Sequence, residues 1–247
     1  MLLSAAVLAY AALVSALRLP FFPLKQLAVF STLDHVTPAQ LESAARSSLA
    51  GNFFTVNLDR VRGELEKLPW VRSASLRRHW PDGIELTIEE QVAAARWRSS
   101  EGETRLVNSH GEVFAAAWAE GPAALPLFGG PEGSAASMLA RYREFAGLLA
   151  PLGRSSRTMT LTARQAWQLR LDNELTLQLG RDQAEHPLQE RLQRFVATYP
   201  EIRARANAPI TAIDMRYPNG FALRLAHGGA AARQDDPNPA RSRKGDT

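Results

Sequence analysis

The chain has 247 residues, with 29 Lys plus Arg against 25 Asp plus Glu, a formal net charge of +4, and no cysteine. With 45% hydrophobic and 22% charged residues it has the composition of a folded protein of one large domain or two small ones, which excludes wholesale disorder. The absent cysteine excludes a disulfide, a zinc ribbon, an iron–sulfur cluster and a cysteine nucleophile while leaving the redox compartment open, and the charge excess is too mild and scattered to argue for nucleic acid.

Residues 1–17, MLLSAAVLAYAALVSAL, carry no charged side chain, and Arg18 ends the run. As a helix this segment spans roughly 25 Å, short of a hydrocarbon core of about 30 Å. The apolar LPFFPL at 19–24 extends it into the interface. A transmembrane anchor fits the segment, and so does a cleaved signal peptide with Val14-Ser15-Ala16 as its small-residue site. A buried core helix fits less well, because the run is apolar on every face. Arg18 and Lys25 follow the run and no basic residue precedes it. Taken alone, this pattern argues against a cytoplasmic N-terminus, and a cytoplasmic segment upstream of Met1 is expected to be missing.

The next stretch predicts a β-α-α-β-β order. Residues 25–30 read as a short strand. Thr37-Pro38-Ala39-Gln40 predicts a helix start, with Thr as cap, Pro at the first helical position and Gln three residues after the cap. Leu41, Ala44, Ala45 and Leu49 share a face, and Gly51 is expected to end the helix. Asn57 caps a second helix carrying Leu58, Val61, Leu65 and Leu68, stopped by Pro69. Residues 70–80 and 84–89 then form strands around the turn Pro81-Asp82-Gly83. The second alternates strictly, with Ile84, Leu86 and Ile88 on one face.

Residues 91–226 are richer in strands. Candidates are 92–98, a hairpin of 104–108 with 112–117, a pair from Trp167, Leu169 and Leu171 to Leu175, Leu177 and Leu179, and a closing pair, 210–217 with 221–226. Residues 119–136 read as a loop. Helices are expected at 137–150, with Met138, Leu139, Tyr142, Phe145 and Leu149 inward, and after Pro187, with Leu188, Leu192, Phe195, Val196 and Tyr199 inward. Residues 228–247 are rich in Gly, Ala, Pro and mixed charge, which predicts a disordered tail. The phrase WPDGIELTI at 80–88 is echoed by YPNGFALRL at 217–225, which shared turn chemistry explains without a repeat.

No catalytic constellation emerges. The five histidines have no metal-binding spacing, and no nucleophile elbow or Walker loop is present. Glu89-Glu90 are adjacent on a strand, so they face opposite sides and cannot converge as an acid/base pair; they read as a solvated strand end. Arg72, Arg77 and Arg78 read first as a solvated strand face and second as a partner surface, with no aromatic platform of the kind single-strand nucleic-acid binding needs.

Several separated motifs, in one order, resemble the bacterial cell-division family FtsQ/DivIB. Gly51-Asn52-Phe53-Phe54-Thr55-Val56-Asn57-Leu58 is similar to the entry to the second helix of a POTRA domain. Leu68-Pro69-Trp70-Val71-Arg72, Arg77-Arg78-His79-Trp80-Pro81-Asp82 and Arg96-Trp97 resemble the family's core motifs. Leu179-Gly180-Arg181, residues 194–200 and residues 213–222 resemble its second domain.

The resemblance implies an α+β protein: a transmembrane anchor at 1–20, a POTRA domain at 24–92, a mixed α/β domain with a largely antiparallel sheet at 93–227, and a tail at 228–247. It implies a single-pass inner-membrane protein with a cytoplasmic N-terminus and periplasmic bulk. It further implies a non-catalytic scaffold of the division septum without cofactor, binding FtsB in its complex with FtsL and other division proteins. By resemblance Arg181, Tyr217, Gly220, Phe221 and Leu225 are the FtsB contacts, and Arg72, Arg77 and Arg78 a second candidate surface. Leu225 stands where some members carry Trp, which puts one aromatic contact in question. A POTRA-type module that handles unfolded or translocating polypeptide is the alternative.

Overall fold

The computed structural model describes residues 2–18, 26–49, 51–99, 102–118, 124–217 and 220–226. They divide into two compact units, with the division between Arg141 and Tyr142. Residues 19–25, residues 218 and 219 of the expected turn, and the expected tail lie outside the described residues.

The first unit opens with helix α1 (Leu2–Arg18). Among the described residues no helix is long and apolar enough to cross a membrane. The β-α-α-β-β order then appears as β1 (Gln26–Val29), α2 (Pro38–Arg46), α3 (Leu58–Leu65), β2 (Val71–His79) and β3 (Gly83–Glu90). Thr37 closes a capping box: its hydroxyl accepts the Gln40 N–H and the Gln40 side chain accepts the Thr37 N–H. Asn57 accepts the Arg60 N–H at 3.0 Å and so caps α3.

Helix α2 ends at Arg46 rather than at Gly51. The N–H groups of Ser48 and Leu49 both turn onto the Ala45 carbonyl and close the last turn early. Gly51 instead enters the α2–α3 loop at φ +125°, where a Cβ would lie 2.8 Å from Thr55 Oγ1. The Asn52 side chain organises that loop by accepting the N–H groups of Phe54 and Thr55, both at 3.0 Å.

Strand β3 is central in the order β1-β3-β2, parallel to β1 and antiparallel to β2. Ile84, Leu86 and Ile88 face inward and form one core with Leu41, Ala45, Val61 and Leu65 of the two helices. Leu49, Leu58 and Leu68 are partly buried against it.

The unit continues with β4 (Ala93–Arg98), β5 (Thr104–Asn108), β6 (Val113–Phe114) and β7 (Leu127–Gly129). β4 pairs with β5 antiparallel and with β7 parallel, and β5 pairs with β6. Strand β6 keeps only two residues of the expected 112–117, and β7 lies in a stretch expected to be loop. The unit boundary falls inside α4 (Ala135–Leu149), where Met138, Leu139, Phe145 and Leu149 are buried and Tyr142 is half-buried.

The second unit holds β8 (Ser156–Leu161), β9 (Ala166–Leu171), β10 (Thr176–Arg181), α5 (Leu188–Arg205), β11 (Ile210–Asp214) and β12 (Ala222–Leu225). Strand β8 was not expected from the sequence, and β11 ends three residues earlier than expected. β12, β11, β10, β9 and β8 lie side by side in that order, all antiparallel except β10 with β11. Leu188, Leu192, Phe195 and Tyr199 of α5 are buried, while Val196 is half-buried.

Candidate partner-binding edge

Strand β12 is the outermost strand of the second unit, and its one described neighbour is β11. Its register runs Asp214↔Ala222, Ile213↔Leu223, Ala212↔Arg224 and Ile210↔Leu225, with a bulge between Ile210 and Ala212. The Ala226 N–H donates to the Pro209 carbonyl at 2.8 Å. Alternation from that bond turns the N–H groups of Leu225 and Leu223 toward the outer edge. Ala222, Leu223 and Arg224 are exposed and Leu225 is half-buried.

Phe221 packs edge-on against Phe195 of α5, with ring centroids 6.4 Å apart, and this contact roots the start of the strand in the core. Tyr217 is 56% exposed. Gly220 is half-buried with open space where a Cβ would stand. The expected contact residues thus fall in two places. Tyr217, Gly220, Phe221 and Leu225 follow the β11–β12 connection, and Arg181 is exposed at the end of β10.

Arg181 lines a groove of about 640 Å³ with Arg164, Gly180, Arg191 and Arg216. Smaller hollows adjoin β12, one lined by Asp214, Arg216 and Leu223 and another by Leu223 to Ala226. Four guanidinium groups around one groove make it electropositive, and their bonding differs. Arg216 donates to both oxygens of Asp214. That bond holds the Asp214 carboxyl below its ordinary value against burial that pushes it up, and raises the Arg216 guanidinium in return.

Arg191 is buried and donates to the carbonyls of Leu179, Arg181 and His186, so it pins the end of β10 and the following loop to α5. Burial pushes its pKa down, and the charge of Asp182 opposes this. Gly180, at φ +78°, lets Arg216 lie across the strand: a Cβ there would meet Arg216 Cγ at 2.8 Å. Arg164 and Arg181 make no ion pair among the described residues.

Sequence reading missed Arg191, Asp214 and Gly180 as a supporting set. One signal was available. Arg191 stands on the apolar stripe of Leu188, Leu192, Phe195 and Tyr199, where a charged side chain must find buried acceptors.

In the first unit the three arginines singled out by sequence have separate roles. Arg72 donates to Glu89 at 2.9 Å and to Glu112 at 3.0 Å. Hydrogen bonds from Arg72 and Asn108 hold the Glu112 carboxyl low, those from Ser73 and Arg72 hold Glu89 low, and the carboxylates raise Arg72. Arg78 donates to the carbonyls of Phe53 and Val56. Arg77 is exposed.

Glu89 and Glu90 do face opposite sides, but they are not a solvated strand end. Glu90 accepts the N–H groups of Asp34, His35 and Val36, the last at 2.8 Å. Among the described residues no cluster of His, Asp and Glu is arranged to hold a metal.

Comparison with known proteins agrees with both halves of the chain. A family model described as "POTRA domain, FtsQ-type" matches residues 22–91, and one described as "Cell division protein FtsQ/DivIB, C-terminal" matches residues 95–216. Among similar proteins, the cell division protein FtsQ of Burkholderia pseudomallei is 41% identical over 207 residues, covering 84% of this chain and 81% of that one. The FtsQ of Nitrosospira multiformis is 39% identical over 213 residues, covering 84% and 86%. That of Neisseria meningitidis serogroup B is 33% identical, covering 87% of each. With FtsQ relatives matched over most of their length and both domain models placed in order, the chain belongs to the FtsQ/DivIB family of cell division proteins.

Proposed function

We propose that this cell division protein is a non-catalytic scaffold of the bacterial inner membrane that links early and late division proteins at the septum by binding FtsB in its complex with FtsL. In this reading residues 1–20 are the anchor, residues 24–92 the POTRA domain, residues 93–227 the partner-binding β domain, and the bulk of the chain is periplasmic. The outer edge of β12 accepts an extended strand of FtsB, and the groove beside Arg181 receives its carboxylates.

The observation that carries the reading is a contrast between two hairpins of like sequence. In β3 the apolar alternation Ile84, Leu86, Ile88 is covered, each residue at most 5% exposed. In the matching phrase at the second hairpin, Leu223 of β12 is 43% exposed and Leu225 half-buried, and the outer backbone edge has no described neighbour. An extended partner covers such a strand by β-augmentation, with backbone bonds giving affinity and side chains giving specificity. Arg181 supplies charge-assisted bonds and Tyr217 a large amphipathic contact.

The test is capture of FtsB by the full chain, paired with thermal melting of each variant. Tyr217→Ala removes the exposed ring, and Leu223→Pro removes an outward N–H while sparing the ladder to β11. Both are expected to melt close to the wild type. Each is expected to weaken FtsB binding by about 2 kcal/mol or more, roughly thirty-fold in Kd. Unchanged capture by Leu223→Pro would reject strand addition at this edge. Capture of unfolded polypeptides in place of FtsB would favour the polypeptide-handling reading.

A further inference from the structure

The same end of the first sheet gathers three features that the partner edge does not use. The β2–β3 hairpin carries Trp80 at its tip, 74% exposed, the highest exposure of any of the five tryptophans. The α2–α3 loop carries Phe54, 41% exposed. Arg78 ties this loop to the hairpin: its Nε donates to the Phe53 carbonyl at 2.9 Å and its Nη2 to the Val56 carbonyl at 2.8 Å. The two aromatic tips therefore belong to one rigid end of the sheet.

The third feature is where the chain enters. Strand β1 is parallel to β3 and pairs Gln26 with Gly83, the residue at the base of the hairpin turn. The chain thus arrives at this end from α1. Arg18 and Gln26 are separated by residues 19–25, which reach at most about 28 Å when fully extended. Whatever surface holds the end of α1 at Arg18 lies within that reach of Gln26, whose partner Gly83 closes the turn that carries Trp80.

We propose that this end of the sheet, centred on Trp80 with Phe54 and Arg77, is a contact surface for an anionic lipid bilayer. The inference rests on the anchored reading of residues 1–20. Tryptophan favours the membrane–water boundary, where its ring sits among headgroups and its N–H stays hydrated. Arg77 is exposed on β2, and Arg78 is bonded to neutral carbonyls, so neither positive charge is cancelled by its contacts. Asp82 and Glu85 oppose them locally, and His79 holds Glu85 at 2.9 Å. Basic side chains this close to an anionic surface are attracted within a Debye length. The contact fixes the tilt of the POTRA domain over the membrane.

The test uses the full chain reconstituted in vesicles of acyl-brominated phosphatidylcholine, with and without brominated phosphatidylglycerol. Flotation of the vesicles and quenching of tryptophan fluorescence are read together. Trp97 and Trp167 are buried and Trp70 and Trp118 half-buried, so Trp80 is the most exposed of the five, and Trp80→Phe separates its quenching from theirs. Quenching is expected in the wild type and stronger with phosphatidylglycerol. Most of it is expected to vanish in Trp80→Phe, and its dependence on phosphatidylglycerol to fall about two-fold in Arg77→Ser. Equal quenching in the wild type and Trp80→Phe overturns the proposal, as does a wild-type chain that floats unquenched. A chain that fails to float removes the anchored reading and this one together, so the two failures are distinguished by flotation alone.

Discussion

Glu90 shows how much one side chain organises and how little of that is written beside it. Its carboxylate accepts three successive backbone N–H groups, Asp34 to Val36, and lies 3.4 Å from Nδ1 of His35, whose ring stacks on Trp70 at 3.9 Å. Adjacent strand positions reveal that Glu89 and Glu90 part company, but not that the second meets a loop more than fifty residues earlier in the chain. Burial pushes the Glu90 carboxyl up, and the N–H groups of Asp34, Val36 and His35 outweigh it, so the group ends below its ordinary value of 4.5. A depressed carboxyl stabilises the fold fully above the unfolded value and loses that contribution as pH falls through the folded one. Glu90→Gln is therefore expected to cost about 1–2 kcal/mol at neutral pH, with the gap to wild type narrowing below pH 4.5. Denaturant melts at a series of pH values check it, and a gap that widens on acidification would contradict the assignment.

At the scale of elements, local signals served where they are strong. The caps at Thr37 and Asn57 stand where the sequence puts them, because an N-cap is decided by residues within one turn. The strands that escaped notice have no such signal. β7 is three residues inside a stretch rich in Pro, Gly and Ala, too short to show a period. β8 carries a register shift between Ser156 and Thr158, which breaks the alternation that would have betrayed it, and it buries Ser156 where an apolar residue is expected.

Helix α3 puts a number on the packing of the first core. Val61 and Leu65 are fully buried against β3, and removing the Leu65 side chain leaves a cavity that the sheet and helix cannot both close. Leu65→Ala is expected to cost about 2–5 kcal/mol in denaturant melts. A loss below about 0.5 kcal/mol, the scale of an ordinary surface change, would place the helix face wrongly.

For the whole molecule, the candidate partner edge and the proposed lipid-contact tip lie in different compact units, and each has its own test. The candidate edge was legible only in part. Motif order pointed to the stretch of chain that forms the β11–β12 pair, whereas the basic groove depends on Gly180, Arg191 and Arg216 converging from three parts of the chain, and no local spacing encodes that. The lipid contact depends on what becomes of α1. A secretory signal would be cut after Val14-Ser15-Ala16, freeing a chain that starts near Leu17 and leaving the aromatic tip untethered. An anchor stays attached, and then the seven residues between Arg18 and Gln26 keep Trp80 near the bilayer. Retention is expected. The apolar LPFFPL continues the run past Arg18 instead of ending it at a cleavage site. Intact mass and N-terminal sequencing of protein from a membrane fraction check this. Residues 2–17 are expected in the mature chain, and a mature protein beginning near Leu17 would end both the anchored reading and the lipid contact built on it.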